Sequence, residues 1–381
     1  MNMFRRSLVI GCAFALGAWS FGAQAQVTLN VISGGSQNMV DYITDYLGPL
    51  FEKQNPGVKV SVVGTGPDDA GSQKMIEKMQ AQRSAATWDV DVLVPNQQKT
   101  GEMVKDGLLL KYRDSIATGK FAVSQSAKMA LGVNVDGYVM PMFESQTALA
   151  YNPALIKEPP GSYDELRSFV AKNPKVFGYN GLKGGMSGVA FVVGWMYAYG
   201  GNAETIQQGP YDPSKMAGWN KAFADLKSFN QGVVFTPGNA GTLDMLNRGE
   251  IAMGPVWVDM FQTWKAEGRL PPSMKLKILS PGMPGQPYYY VIPAKAKNAE
   301  LAKKFIALAT SPEVQAEGIV KRFNWYPGID ANVVKPKLEQ KVWDGLFIDV
   351  TPADLAKNGR PFPLAPYFKD LREGYESKVA N

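Results

Sequence analysis

Histidine is absent from this chain, and cysteine occurs once, as Cys12. Without imidazole there is no Ser-His-Asp or Cys-His nucleophile and no zinc site built on histidine. Carboxylate-only and tyrosinate chemistry stay open. Cys12 falls inside an apolar N-terminal run. The segment beyond it therefore has no thiol, no disulfide and no thiolate metal site. A chain of 381 residues buries enough core to do without disulfides, even in an oxidising compartment. Strong charge is missing too. The formal net charge of +6 falls to +4 when Arg5 and Arg6 are set aside, and no basic run exists. That is no footprint for nucleic acid. Past the N-terminal run, no apolar stretch reaches the length of a transmembrane helix.

That run has its own pattern. Arg5 and Arg6 are followed by apolar Leu8 to Phe21 and then by Ala23-Gln24-Ala25. A basic start, a short apolar stretch and small residues before a cut predict a secretory leader over 1–25, cleaved before Gln26. Val9-Ile10-Gly11-Cys12 loosely fits a lipoprotein box, but it lies too close to Arg6 for an apolar region to precede it. The expected location is the periplasm.

Strand and helix then alternate. Val27 to Ile32 and Val58 to Val63 read as β-branched strands, with apolar helical spacing from Met39 to Phe51 between them. Met75 to Ala85 reads as a helix and Trp88 to Val94 as a third strand. This order argues for parallel strands with helices on both faces. Ligands in such sheets lie beyond the carboxyl ends of the strands. The loops carrying Gly35, Ser36 and Gln37, and Asn96 and Gln97, are therefore candidates. Tyr138 to Phe143 and Ala148 to Asn152 are two further extended segments, and Ser162 with Glu165 forms a capping box. Strands are also expected at Ile251–Trp257, Lys275–Leu279 and Tyr288–Ile292. There is neither an internal repeat nor a low-complexity linker.

Several stretches, in this order and spacing, carry a resemblance. They are Leu50 to Val60, Trp88 to Pro95, Leu149 to Pro153 followed by Tyr163 to Leu166, Gly249 to Met253, Val291 to Asn298, and Ala302 to Ile306 with Ser311 to Gln315. Together they resemble the family 1 extracellular solute-binding proteins of ABC importers, nearest the branch that binds polyamines, thiamine and iron(III). The resemblance implies an α/β, type II periplasmic binding protein fold. Each of two lobes would be a mixed sheet flanked by helices, with a cleft between them. Lobe 1 would hold 26–139 plus 290–330, and lobe 2 would hold 140–289 plus 331–381 with C-terminal helices. The chain would cross near 138–142, 288–291 and 328–332. Function would be capture of a small polar solute by a monomer and its delivery to a membrane permease. Polyamine-like or thiamine-like cations stand ahead of sugars and polyols, with iron(III) as the alternative. No cofactor, no resident metal and no catalytic residue is expected. An exported carboxylate-dependent lyase or glycosidase is the reading from another class.

Site residues follow from the resemblance and from position. Trp257 falls where polyamine binders stack an aromatic on the ligand; a core tryptophan is the other reading. Asp259 follows it. Tyr326 matches a cleft tyrosine, and Trp257 and Tyr326 are expected to face one another across the cleft, or at least both to line it. Glu144 and Ser145, after the first crossing, are expected in the cleft. Tyr288, Tyr289 and Tyr290 alternate faces, so at most two share a side. Spacing from Pro293 sets Tyr288 where polyamine binders carry an acid. Ser187, in Gly184-Gly185-Met186-Ser187-Gly188, is a ligand contact or a helix N-cap.

Overall fold

The computed structural model describes residues 26–201 and 203–380; the expected leader lies outside the described residues. β1 (Val27–Gly34) pairs in parallel with β2 (Val58–Gly66) on one side and with β3 (Val92–Val94) on the other. Their β-branched residues suit a pleated sheet, buried on both faces at β3 and along most of β1 and open on one face at the edge strand β2. The expected third strand is shorter than its pattern. Asp91 accepts the Asn30 N–H at 2.9 Å through its carboxylate, and Asp89 is tied to Lys78 and Gln82. Before Val92 the pairing with β1 is reduced to one backbone bond, Asp91 N–H to the Asn30 carbonyl at 2.9 Å, with these side-chain bonds beside it. A helical run from Gln37 to Gln54 follows β1, α1 (Asp68–Ala81) follows β2 and α2 (Gln97–Lys105) follows β3.

The two extended segments expected near 138–152 are one strand, β4 (Met140–Tyr151). It is buried at both ends and half-buried at Glu144, Ser145 and Gln146. This is the neck between the lobes. Met140, Met142 and Phe143 belong to the first lobe's core, whereas Ala148, Leu149 and Ala150 belong to the second's. The second lobe adds α3 (Met186–Tyr199), β5 (Met253–Trp257), α4 (Val258–Ala266) and β6 (Lys275–Lys277), and both strands run antiparallel to β4. Every residue of α3 from Met186 to Tyr197 is buried. Such a helix has no polar face, and so it sits at the centre of the lobe. Gly194 makes this packing fit, because a Cβ there would lie 1.9 Å from the Tyr163 hydroxyl.

β7 (Met283–Tyr290) returns beside β4, antiparallel to it. Bridges from Leu93 to Val291 and from Asn96 to Tyr288 join it to the first sheet. α5 (Ala299–Ala309) packs onto the first lobe, and β8 (Tyr326–Pro327) pairs with Glu144 and Phe143 of β4. The third crossing comes later than 328–332. Val334, Trp343 and Leu346 are buried with the first lobe, and Val350 is the next residue buried with the second. The hand-over therefore lies between 346 and 350. These apolar side chains find their burial on the first lobe's face, which moves the boundary expected at 331. β9 (Gly359–Arg360) adds in parallel to β7, and α6 (Ala365–Lys378) closes the second lobe.

Candidate functional site

Two cavities flank the β4–β7 neck. The first is the cleft itself. Gly35 and Ser36 enter it from the loop after β1, where Gly35 turns the chain at φ 87°. A side chain at Gly35 would also strike Met39, 2.1 Å from its sulfur. Phe143 and Ser145 come from β4, Gln286 and Tyr288 from β7, and Trp257, Asp259 and Met260 from the β5–α4 junction. The lobes are closed over it. Ser36 Oγ lies 3.7 Å from Met260 Sδ, and Arg372 Nη1 of α6 meets Asp69 Oδ2 of α1 at 2.7 Å. About 30 Å³ remains inside, the room of a water or two.

Asp259 is the charged group at the centre. It is the second residue of α4 and 7 % exposed. The Ser145 hydroxyl donates to its Oδ1. Among the described residues, no lysine or arginine pairs with it. Burial raises its pKa to about 6, against the hydrogen bonds from Ser145 and its own backbone, which favour the ionised form. Asn38 Oδ1 and Gln286 Oε1 are buried at the same cavity without hydrogen-bond partners among the described residues. Tyr288 stacks on Phe143 at 5.8 Å, and Phe143 stacks on Trp325 at 4.4 Å. One wall is thus a column of aromatic rings running into the first lobe.

The second cavity, a side chamber of about 410 Å³, takes the residues of the neck that point the other way. Glu144, Gln146, Gly285 and Pro287 line it, with Gln97, Ser126 and Tyr326 from the first lobe. Leu346, Phe347, Val350, Leu355 and Arg360 of the C-terminal segment cover it. Ser145, Asp259 and Gln286 border both cavities. Glu144 Oε1 accepts from the Ser126 hydroxyl at 2.7 Å, and burial raises its pKa against the hydrogen bonds of Ser126 and Ser124.

The structure sorts the candidates. Gly35, Ser36, Ser145, Trp257, Asp259 and Tyr288 line the cleft. Gln97, Glu144 and Tyr326 line the side chamber instead. Glu144 does not face the cleft, because successive residues of a strand alternate sides and Phe143 and Ser145 take that side. For the same reason Tyr326, paired with Glu144, does not face Trp257. Trp257 is both a core residue of the second lobe and a cleft wall. Gln37 is exposed and bound to Asp41. Asn96 is the N-cap of α2, accepting from Lys99 N at 3.1 Å, and its amide donates to Asp69. Ser187 is not the N-cap and does not line the cleft. Gly185 holds the cap position, and the Ser187 hydroxyl binds Asn180 and Asn239 inside the lobe. Tyr289 and Tyr290 are fully buried. No group of three acidic, histidine or cysteine side chains able to hold a metal occurs among the described residues.

Sequence reasoning passed over Asn38, Met186, Asn239, Met260 and Arg360. Gln286 was within reach, since it lies two residues from Tyr288 on one strand and must share its side.

The comparisons agree with this architecture. Residues 50–336 match the model of a family described as bacterial extracellular solute-binding protein. No curated protein sequence matches. Among solved structures, the fold matches the Atu4243-GABA receptor at a TM-score of 0.66 and 20% identity, covering 93% of this chain and 97% of that one. The Tp0655 (TpPotD) lipoprotein of Treponema pallidum gives 0.68 at 15% identity, over 93% and 100%. A periplasmic thiamin binding protein gives 0.60 at 17% identity, over 92% and 95%. At these identities the likeness is one of fold. With the family model spanning most of both lobes, the chain belongs to the bacterial extracellular solute-binding proteins.

Proposed function

We propose that this chain is the periplasmic receptor of an ABC importer for a small, amine-bearing solute. The observation that carries this reading is Asp259: a buried carboxylate between the lobes, with no cation paired to it among the described residues. The unsatisfied groups that line the same cavity, Asn38 Oδ1 and Gln286 Oε1, are acceptors. Such a set calls for a ligand that donates hydrogen bonds and carries positive charge. Trp257 and Tyr288 add aromatic surface that favours a cation. Among the similar structures are receptors named for GABA and thiamin, each a compound with a cationic or amino nitrogen. Solute would enter the open cleft. The lobes would then close by bending at β4, at β7 and near residues 346–350, and the closed monomer would dock on the permease. The leader at 1–25 is the basis for placing it in the periplasm. Nothing in this cycle transforms the solute.

A thermal-shift panel tests the reading, since a ligand that binds the folded chain raises its melting temperature. Putrescine, spermidine, thiamine and 4-aminobutanoate are set against maltose and iron(III) citrate. At least one amine should raise the melting temperature. A rise with sugar or iron and none with amines overturns the proposal.

A further inference from the structure

The side chamber is the larger of the two neck cavities, and its lining is charged at two places. The closed cleft holds about 30 Å³, too little for any organic solute, whereas the chamber's 410 Å³ falls within the range of small-molecule sites. Glu144 and Asp259 border it without a paired cation among the described residues. Arg360 borders it without a paired carboxylate among the described residues. The guanidinium of Arg360 bonds instead to the carbonyl of its neighbour Gly359, at 3.2 Å, and its stem lies across Gly282. Glu204 shares an outer recess with Arg360 but forms no ion pair with it.

The strand register sets the spacing of the backbones that carry the charges. Glu144 is paired with Pro287 of β7, and Arg360 with Pro284 on the other side of β7. Three residues along the strand and two strand spacings across it, each roughly 10 Å, put those backbones roughly 14 Å apart, and both side chains reach into the chamber between them. Leu346, Phe347, Val350 and Leu355 supply the apolar wall. A half-buried guanidinium at one place and buried carboxylates at another, along an apolar wall, match a linear molecule with opposite charges at its ends.

We propose that the side chamber extends the Asp259 site between the lobes, and that the solute lying across the two is a linear zwitterion such as an ω-amino acid, with its ammonium at Asp259 and Glu144 and its carboxylate on Arg360. This rests on the amine-receptor reading above and narrows it. A diamine of the same length would set its second ammonium against the guanidinium, like charge against like. A carboxylate there gains the forked, charge-assisted geometry that arginine offers and lysine does not.

The test is titration calorimetry on the mature chain with 4-aminobutanoate, 5-aminopentanoate and 6-aminohexanoate, and with putrescine and cadaverine. Arg360→Gln and Arg360→Lys are titrated alongside, with melting temperatures measured to confirm that both fold. At least one ω-amino acid should bind ten times more tightly than any diamine. Arg360→Gln should weaken that binding by about 10- to 100-fold and leave diamine binding no worse, with Arg360→Lys between. Diamines binding as tightly as the amino acids, or an unchanged affinity in Arg360→Gln, overturns the zwitterion while the amine receptor stands. Binding by neither class, with a melting-temperature rise from spermidine or thiamine, overturns the zwitterion alone; no response to any amine overturns both.

Discussion

Replacing Asp259 by asparagine should close the empty protein and blind it to amines. In the closed conformation the Asp259 pKa is raised from 3.8 to about 6, chiefly by burial. At 1.36 kcal/mol per pKa step, the ionised carboxylate costs the closed form about 2–3 kcal/mol relative to a solvated one. The sign follows from the direction. Below about pH 4 the carboxyl is neutral in either environment, and closing carries no charge penalty. As pH rises from about 4 to 6 the solvated state sheds its proton first, so the closed state loses stability, and above about 6 the whole penalty applies. At neutral pH this should bias the empty protein toward the open form by a factor of about 100 relative to a neutral side chain. A ligand ammonium beside Asp259 lifts the penalty, which couples binding to closure. Asparagine keeps the acceptor for Ser145 and removes the charge. The assay is small-angle scattering of the unliganded mature chain at pH 7.5 and pH 4.5. The wild type should be more open at pH 7.5 than at 4.5. Asp259→Asn should give the smaller radius of gyration at both, and its amine affinity should fall by about 100-fold. Wild-type amine affinity should decline as pH drops below about 6. Identical scattering of the two proteins at pH 7.5, or full amine affinity in the variant, refutes the reasoning.

Arg372→Ala removes an ion pair across the closed lobes, in which both partners are largely shielded from water. It should cost about 1 kcal/mol in the closed form alone, seen as a roughly fivefold faster ligand dissociation in stopped flow with an unchanged unliganded melting temperature. Trp257→Ala should fail on two counts, because the ring fills the second lobe's core and walls the cleft. A loss of ~3–5 kcal/mol in denaturant unfolding should come with weaker binding, and an unchanged stability would contradict this packing. Gly194→Val drives a branched side chain into the Tyr163 hydroxyl, and little or no folded protein should be recovered, with Tyr163→Phe unable to restore it. Mass spectrometry of the periplasmic fraction should find a chain beginning at Gln26; a lipidated Cys12 at the membrane would refute the leader reading.

What could be read from the sequence was what depends on neighbours along the chain. β1 and β2 were legible because their β-branched residues are continuous, and Gly35 and Ser36 because a loop after a parallel strand must open at the sheet's carboxyl edge. The neck was harder. Glu144, Ser145 and Gln146 interrupt the apolar pattern of β4 and so read as a break between two strands. They are polar because that is where the strand leaves one core before entering the next. Asn96 shows the converse error. Its place after β3 suggested a ligand contact, but an asparagine just before a helix is as well used capping that helix, and here it does so.

Which residues share a cavity is a different kind of question, since it turns on the side to which each strand residue points and on what covers that side. Alternation alone, applied to Phe143, Glu144 and Ser145, is enough to set Glu144 on the opposite side from its two neighbours. Applied to Tyr326 through its pairing with Glu144, it separates that tyrosine from Trp257 as well. What alternation does not supply is the cover. The side chamber exists because residues 346–361 fold back over the neck. Arg360 reaches it from a two-residue strand whose partner, β7, lies some 75 positions earlier. No local pattern marks such a residue, because its position is set by a pairing across the fold. Yet Arg360 is the cation of this chamber, and whether the chamber accepts one ligand charge or two opposite ones turns on it. Ligand class is therefore the property least legible in this sequence, for it depends on the segment with the weakest local signal, while receptor architecture is carried by strands that announce themselves.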